Sequence, residues 1–453
     1  MPSHILDSLF LKDLYGTAEM RLVFDDMSLL QKWLDAENAL AQAEAELGII
    51  PASAAQEIAR CAVADRLDVS RIKQLIDQTV HPIVPLIRVL KDACSGDAGE
   101  YIHWGATTQD IMDTAMILQA KEATVILENR LAGLSEALQH LAFSQRDTIM
   151  PGRTHGQQAL PITFGYKAAV WLAELERHRQ RLVQCQSRLL VGQLAGASGT
   201  LASLGEDGIR VQMRMMEILG LGVPLITWHT ARDGLAELAS LLGMQAATAG
   251  KVAREIINLQ RTELAEVEEP FNEGKVGSST MPHKRNPMIC EAVLALSKLV
   301  MRSVPLALDA MIQDHERDWS SDHIEWAYLG EMCIMTDGAL DLTLRVLTGL
   351  KINPQRMLEN LNLLDGLALS EAVMLALGKD LGRQTAHDVV YECAMRSFDA
   401  SLPFRQALGE HPLVAAHLTP SQIEGLLDAT HYTGLAGQFV DRVLATVEHT
   451  GES

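Results

Sequence analysis

Residues 127–141 read LENRLAGLSEALQHL, and the spacing of their leucines decides the fold. The leucines recur every four or three residues, at Leu127, Leu131, Leu134, Leu138 and Leu141. Apolar residues at this period lie on one face of an α-helix, which packs against neighbouring helices. Similar stripes occur within residues 235–259 and 293–304. The pattern predicts an all-α protein with long helices in the middle of the chain.

The long central helices are bounded by turn-like segments. A glycine-containing turn precedes Tyr101, and Lys351-Ile352-Asn353-Pro354 follows the last long stripe. We predict an N-terminal helical domain (1–104), a central long-helix bundle (105–350) and a C-terminal helical domain (351–453). The Asp-Gly pairs lack alternating apolar neighbours, so no β-hairpin is expected. Stripes this long favour a bundle extended across subunits, although a large monomeric bundle has the same periodicity.

The composition excludes several classes of partner. The chain has 38 lysines and arginines against 58 aspartates and glutamates, a formal charge of −20. Such an acidic surface argues against nucleic acid or an anionic membrane as the main partner, and an anionic substrate would need a local cationic site. The start of the chain does not resemble a signal peptide, and the six cysteines form no CxxC pair. We expect a cytoplasmic protein with reduced thiols.

Three polar segments interrupt the helical pattern, and the first is residues 103–110, HWGATTQD. Thr107 and Asp110 have the spacing of a capping box that opens the following helix. A second interpretation is functional. The hydroxyl and backbone donors of Thr107 and Thr108 would then bind a carboxylate or phosphate at the helix N-terminus.

The second polar segment is residues 152–161, GRTHGQQALP. It places Arg153, Thr154, His155 and two amide side chains between helices. A histidine titrates near neutral pH and can move protons. A lone histidine, however, is more often a hydrogen-bonded structural residue.

The third polar segment is residues 273–287, EGKVGSSTMPHKRNP. Asn286-Pro287 suits the start of a helix. The glycine loop before it carries two serines beside two cations, which together with the helix N-terminus would lower a serine pKa or hold a dianion. A phosphate-binding loop is the rival interpretation, but the GxxxxGK[ST] order is absent and no strand is predicted before the segment. Trp319 occupies the place where a zinc motif starting at His315-Glu316 needs its second histidine, so no metal site is predicted.

The segment GSSTMPHKRNP (277–287) closely resembles the signature of the fumarase/aspartase superfamily. The other two segments resemble the remaining characteristic regions of that superfamily, in the same order, so the resemblance spans the chain. It implies a helical fold whose long central bundle is assembled across a homotetramer, with each active site built from three subunits. It also implies addition or elimination at the carbon next to a carboxylate of a small polycarboxylate, without a metal or organic cofactor.

Within the superfamily the sequence resembles the adenylosuccinate lyase and carboxymuconate cycloisomerase branch. The segments closest to the cycloisomerases are 19–26, 103–110, 228–233, 314–326 and 427–434. An Arg-Tyr pair typical of adenylosuccinate lyases is absent near the start, and Glu325-Trp326 replaces a further arginine. We therefore expect cycloisomerisation of 3-carboxy-cis,cis-muconate in aromatic catabolism. The Thr-His-Gly of the second segment looks more like the lyases, so cleavage of a succinyl adduct with release of fumarate is the alternative.

The resemblance also implies roles for individual residues. Removing a proton next to a carboxylate creates a second negative charge, which preorganised donors and cations must stabilise. Ser278 is the implied acid or base on carbon, and His155 and Lys284 are the other implied catalytic residues. The implied substrate-binding residues are His103, Thr107, Thr108, Thr154, Gln157, Ser279, Met281, Asn286 and Arg317. A catalytically silent homologue or a helical scaffold remains a further alternative.

Overall fold

The computed structural model describes residues 4–271, 280–281 and 283–450 of the 453-residue chain. These residues form a predominantly helical protein with two small antiparallel sheets. The predicted all-α class is confirmed, because the sheets involve only short segments between the helices.

The helices and strands follow one another in three groups along the described chain. The N-terminal helices are α1 (Lys12–Tyr15), α2 (Ala18–Val23), α3 (Asp26–Glu46), α4 (Ala52–Cys61), α5 (Val69–Thr79) and α6 (Ile83–Ala93). The central elements are α7 (Thr108–Ser144), β1 (Ile149–Thr154), β2 (Gln157–Thr163), α8 (Phe164–Leu189), α9 (Gly208–Leu219), α10 (Asp233–Leu259), β3 (Val267–Glu268), α11 (Met288–Asp309), α12 (Trp319–Thr348) and β4 (Lys351–Ile352). The C-terminal helices are α13 (Pro354–Leu361), α14 (Ser370–Leu381), α15 (Arg383–Ala400), α16 (Phe404–Glu410), α17 (Pro412–His417), α18 (Pro420–Leu426) and α19 (Ala436–Thr450).

The leucine stripe of residues 127–141 lies in α7 and forms part of the core. Each of its five leucines is at most 6% exposed. The stripe of residues 235–259 in α10 is equally buried, with Leu238 and Leu242 fully inaccessible. The period of the apolar residues therefore predicted both the helices and the faces that they bury.

The described chain divides into two compact units. Unit 1 comprises Met1–Ala132, Arg177–Gly250 and Ala292–Asp341, and unit 2 comprises Gly133–Glu176, Lys251–Glu291 and Leu342–Ser453. The boundaries fall inside the long helices α7, α8, α10, α11 and α12. Neither unit is a continuous segment, and the three-domain division drawn from the sequence stays a prediction.

One β-hairpin contradicts the expectation that the chain has none. In unit 2, β1 pairs with β2 in antiparallel register, with a bulge near Gly152. His155 and Gly156 have positive φ values, 53° and 77°. A two-residue hairpin turn needs such values, because they match the right-handed twist of the flanking strands. A Cβ atom on Gly152 would lie 2.6 Å from the carbonyl oxygen of Leu160, so the bulge admits only glycine. The hairpin escaped prediction because its turn is His-Gly rather than Asp-Gly.

A second small sheet also departs from the sequence analysis. Val267 and Glu268 of β3 pair with Ile352 and Lys351 of β4. A short strand therefore precedes the third polar segment, where none was predicted. The two-residue strand does not alter the conclusion that the GxxxxGK[ST] order is absent from that segment.

The C-terminal helices of unit 2 have a core of their own. Val373, Leu377, Phe404 and Leu408 are buried together in it. Among the described residues, no single helix is both long and apolar enough to cross a membrane, although the bent pair Pro354–Leu364 and Leu367–Leu381, at 80°, passes that test jointly.

A buried ionic cluster joins three helical segments of unit 1. The guanidinium of Arg232 donates to both carboxylate oxygens of Asp113, at 2.8 and 2.9 Å, and to both oxygens of Glu325, with its Nε at 2.7 Å. All three residues are at most 1% exposed. Burial alone lowers the pKa of Arg232, but the two carboxylates outweigh it and raise that pKa well above its usual value. Arg232 therefore stays charged and holds α7 and α12 to the start of α10.

We predict that Arg232→Ala lowers the free energy of unfolding by about 3–5 kcal/mol, because it leaves two buried carboxylates without their cation. Urea-induced unfolding followed by circular dichroism measures the loss. The matched control is Arg210→Ala, which removes an exposed ion pair with Asp207 and should cost less than about 1 kcal/mol. Equal unfolding midpoints for the two variants would contradict this account of the cluster.

Candidate active site

The first polar segment is organised around the carboxylate of Asp110, which is fully buried in unit 1. One oxygen accepts from the backbone N–H of Ala195 at 3.0 Å and faces Nε2 of His229 at 2.8 Å. The other accepts from the N–H of Thr107 at 3.0 Å and of Gly196 at 2.9 Å. Asp110 thus supplies the backward bond of the predicted capping box and also fixes the segment around residue 195.

Thr107 and Gln109 are tied to Arg317. The Arg317 guanidinium donates to Oγ1 of Thr107 at 3.1 Å, to Oε1 of Gln109 at 2.9 Å and to the carbonyl of Ala197 at 3.0 Å. All three nitrogens of the planar guanidinium therefore donate hydrogen bonds within the protein. Arg317 is only partly buried, so it still contributes a positive charge beside Thr107.

Thr108, the first residue of α7, contacts a histidine that sequence reasoning did not select. Its Oγ1 lies 3.1 Å from Nε2 of His81. Nδ1 of His81 accepts from the backbone N–H of Val84 at 3.3 Å, so in the neutral ring the proton sits on Nε2. His81 then donates to Thr108, and the Thr108 hydroxyl proton is left to donate to a ligand.

The protonation of His81 follows from its surroundings. Burial lowers its pKa below the usual value, and the nearby His103 lowers it further. Val80, immediately before it, has a φ of 54°, a left-handed conformation rare for a β-branched residue. Pro82 follows and restricts the backbone of His81 itself. The lowered pKa favours the neutral ring, and the ring sits on a stiff connection between α5 and α6.

The pKa of His103 shifts in the opposite direction, upward. Its Nδ1 lies 2.7 Å from Oε1 of Glu37, a carboxylate that is 1% exposed. Burial lowers the pKa of His103, but the Glu37 carboxylate outweighs burial, so the net shift is upward. Unit 1 therefore holds one histidine biased towards the cation and one biased towards the neutral form.

The second polar segment forms the tip of the β1–β2 hairpin in unit 2. Thr154, His155 and Gln157 are all exposed there. Arg153, however, is paired with the fully buried carboxylate of Glu266, with one contact at 2.9 Å. The pair with Glu266 shows that the charge of Arg153 is neutralised within the fold.

The third polar segment lies partly outside the described residues, and Ser278 and Ser279 belong to that part. Met281 and Lys284 are exposed, and Asn286 is half-buried two residues before α11. Glu269 accepts from two backbone N–H groups in the first turn of α11, those of Ile289 at 3.1 Å and Cys290 at 3.0 Å. The expectation that this helix N-terminus helps to hold a substrate dianion is therefore wrong for these two donors.

A second cation of the third segment is also engaged. Arg285 donates to Glu268 at 2.6 Å and lies over the ring of Phe271, with its guanidinium carbon 5.0 Å from the ring centroid. Lys351 also approaches Glu268, at 3.3 Å. Arg285 therefore serves the local fold although it is exposed, and Lys284 beside it is exposed as well.

The chain distributes the candidate residues over its two units. Unit 1 contains His103, Thr107, Thr108 and Arg317, and unit 2 contains Thr154, His155, Gln157, Met281, Lys284 and Asn286. Within unit 1, the contacts around Asp110, Arg317 and His81 bring the candidates of that unit together. The described residues contain no group of three or more histidine, cysteine or acidic side chains placed to hold a metal ion.

Sequence reasoning missed two residues beside these candidates. His81 gave a weak signal, a histidine before a proline in an apolar context. Asp322 is 3% exposed and lies 3.4 Å from the amide nitrogen of Gln109. Burial, together with Asp113, raises the pKa of Asp322 to about 7. The local sequence gives little sign of this shift, because its two larger causes, burial and Asp113, depend on the tertiary structure.

Comparison with known proteins identifies the class. The family model described as "Lyase" matches residues 15–302, and one described as "Adenylosuccinate lyase C-terminus" matches residues 366–443. The chain is 44% identical to N-acetyl-S-(2-succino)cysteine lyase of Dickeya dadantii, over 100% of this chain and 99% of the relative. It is 42% identical to 3-carboxy-cis,cis-muconate cycloisomerase of Pseudomonas aeruginosa, over 95% of this chain. The structure of the 3-carboxy-cis,cis-muconate lactonizing enzyme of Pseudomonas putida superimposes with a TM-score of 0.91 at 38% identity, covering 97% of this chain and 99% of that one.

The chain therefore belongs to the fumarate lyase (fumarase/aspartase) superfamily and is a lyase of that superfamily. It falls in the branch that contains the adenylosuccinate lyases and the carboxymuconate cycloisomerases, as the sequence resemblance predicted.

We predict that neutral His81 is required for turnover, so kcat/KM falls as the pH drops through its lowered pKa. A protonated ring carries hydrogen on Nδ1 and loses its bond from Val84. The free energy of unfolding should also fall as the pH drops, because the unfolded ring binds a proton more readily than the folded one. His81→Gln keeps an N–H donor without titrating and should retain most activity with a weaker acid limb. His81→Phe should lose about 10- to 100-fold. Identical pH profiles for wild type and His81→Gln would refute the assignment.

Proposed function

We propose that the enzyme cleaves a succinyl thioether by β-elimination, with N-acetyl-S-(2-succino)cysteine as the representative substrate and fumarate as one product. The observation that carries the proposal is the 44% identity to the Dickeya dadantii lyase across the full length of both chains. This reaction is a form of the succinyl-adduct cleavage that the Thr-His-Gly of the hairpin tip favours.

The chemistry balances without an external oxidant or reductant. A base removes a proton from the methylene carbon next to one succinyl carboxylate, and the electron pair forms the new C=C bond. The C–S bond on the adjacent carbon breaks, and the sulfur leaves as a thiolate or takes up a proton as a thiol. A thiol has a pKa of about 8.5, far below that of an amine as a leaving group, so sulfur needs less help from an acid. The products are fumarate and N-acetylcysteine.

The residue roles in this proposal follow the superfamily resemblance. Ser278 is the base that removes the proton from carbon, and His155 binds the leaving sulfur or delivers a proton to it. Lys284 stabilises the doubly charged intermediate carboxylate. The proposed substrate contacts are His103, Thr107, Thr108, Thr154, Gln157, Ser279, Met281, Asn286 and Arg317.

The geometry of unit 1 supports the part of this assignment that concerns the substrate carboxylate. The Thr108 hydroxyl keeps its proton for a ligand because His81 already donates to its oxygen. The N-terminus of α7 adds a partial positive charge, and Arg317 adds a full one. A carboxylate group fits this set of donors.

We also propose that the enzyme is a homotetramer in which each active site combines regions from three subunits. The support is the superfamily resemblance and the distribution of candidate residues over separate parts of the chain. Ser278, His155 and Thr108 would then reach one substrate from different copies.

Cycloisomerisation of 3-carboxy-cis,cis-muconate is the second candidate. It is favoured by the full-length similarity to two enzymes of that activity and by Glu325-Trp326. In that reaction a substrate carboxylate oxygen adds to a C=C bond, a proton is delivered to the adjacent carbon and nothing leaves. A catalytically silent homologue is the remaining alternative.

We predict that the purified protein releases fumarate from N-acetyl-S-(2-succino)cysteine faster than from adenylosuccinate, and faster than it lactonises carboxymuconate. Ultraviolet absorbance measures all three reactions. Ser278→Ala should fold normally and lose at least about 10²-fold in kcat, whereas Ser279→Ala should lose less. Preferred turnover of carboxymuconate would replace the proposed function by its rival. Absence of turnover with the whole panel would support the silent homologue.

A further inference from the structure

A cavity of about 590 Å³ opens inside unit 1 beside the contact between Thr108 and His81. His81 lines it, as do Met112 and Met116, which follow Thr108 by one and two turns on the same face of α7. A volume of this size is typical of pockets for small ligands. A substrate whose carboxylate lies at Thr108 therefore has an adjoining space for its other half.

One wall of the cavity is an aromatic face on α12. Trp319, His323 and Trp326 stand at positions i, i+4 and i+7, so they share one side of the helix. The two indole rings meet edge to face with centroids 5.5 Å apart, and His323 lies 4.7 Å from Trp326. His81 stacks on Trp319 at 6.2 Å with 14° between the planes. The same ring therefore touches Thr108 and the aromatic wall.

The cavity lacks the charges that an anionic group needs. Its described lining contains no lysine or arginine. Glu325, on the wall, is bound through both oxygens to Arg232. Asp77, at the rim, forms an ion pair with Lys73. The pocket thus offers mainly apolar and aromatic surface. The two acidic residues in its lining already lie beside cations.

We propose that this cavity binds the acyl group on the amino nitrogen of the leaving thiol, an inference that rests on the proposed thioether lyase activity. Acylation removes the positive charge of the amine, and the acyl chain can then bury its methyl and methylene groups against indole and thioether surface. The cavity is much larger than an acetyl group, so longer acyl groups fit as well. Trp319, Trp326 and Met116 are the specificity-determining residues of the enzyme.

A free ammonium is the competing occupant, because a cation binds well over aromatic rings. Glu325 argues against it, since both of its oxygens are bound to the buried Arg232. Asp77 is exposed and already lies beside Lys73, so it is a weak partner for an incoming cation. The two occupants predict opposite orders of reactivity for acylated and unacylated substrates.

The experiment compares S-(2-succino)cysteine with its N-acetyl, N-butanoyl and N-hexanoyl derivatives, using fumarate release by wild type. We expect the free amine to react slowest and kcat/KM to rise by about threefold to fourfold for each added methylene. Trp326 is 42% exposed, so its truncation should leave the fold intact, and Trp326→Ala should flatten this series. The matched control is Phe398→Ala on α15, an aromatic residue that is 75% exposed and lies in unit 2. It should keep the wild-type slope.

A flat series in wild type, a free amine that reacts faster than the acylated substrates, or an unchanged slope in Trp326→Ala would overturn the inference while leaving the lyase activity in place. If no thioether is cleaved, the proposed function fails. Binding of N-acylcysteines, followed by tryptophan fluorescence, then tests whether the cavity is an apolar subsite. Binding that tightens with acyl length and is lost in Trp326→Ala supports the apolar subsite. Binding independent of acyl length rejects it.

Discussion

The candidate site in unit 1 depends on the hydrogen bonds that the carboxylate of Asp110 accepts. This carboxylate is fully buried and receives three backbone N–H groups together with the imidazole of His229. Hydrogen bonds to a charged group are worth about 1.5–3 kcal/mol each, and a buried carboxylate without them is strongly destabilising. The start of α7, the segment around residue 195 and the residues before α10 are therefore fixed relative to one another. Thr108 owes its position to this arrangement.

The electrostatic design of the described chain differs from the one that the acidic composition suggested. The two cations of the third polar segment were expected to help to hold a dianion, but Arg285 is paired with Glu268, and Arg153 of the second segment is paired with Glu266. Two donors at the start of α11 are likewise occupied by Glu269. In unit 1 the donor proposed to bind the carboxylate is the neutral hydroxyl of Thr108, which contacts His81 and lies near Arg317. An overall charge of −20 is compatible with carboxylate binding because short-range donors decide it locally.

Much of the fold was predictable because the long helices follow from the local spacing of apolar residues. The leucines of residues 127–141 gave the helix and its buried face, and the three polar segments gave the superfamily. The β1–β2 hairpin was missed because its turn uses His155-Gly156, a weaker signal than Asp-Gly. The capping of α11 by Glu269 and the placement of His81 against Thr108 depend on tertiary contacts, which no local pattern contains. The aromatic face of α12 could have been found, since Trp319, His323 and Trp326 have helical spacing in the sequence.

The central claim is that the Thr108 hydroxyl, oriented by neutral His81, binds the carboxylate of the succinyl half of the substrate. Isothermal titration of fumarate into wild type, Thr108→Val and Thr108→Ser tests it most directly. Valine keeps the shape and removes the donor, so the dissociation constant should rise by about 10- to 100-fold, whereas serine should stay near wild type. Equal fumarate affinity in wild type and Thr108→Val would contradict the account.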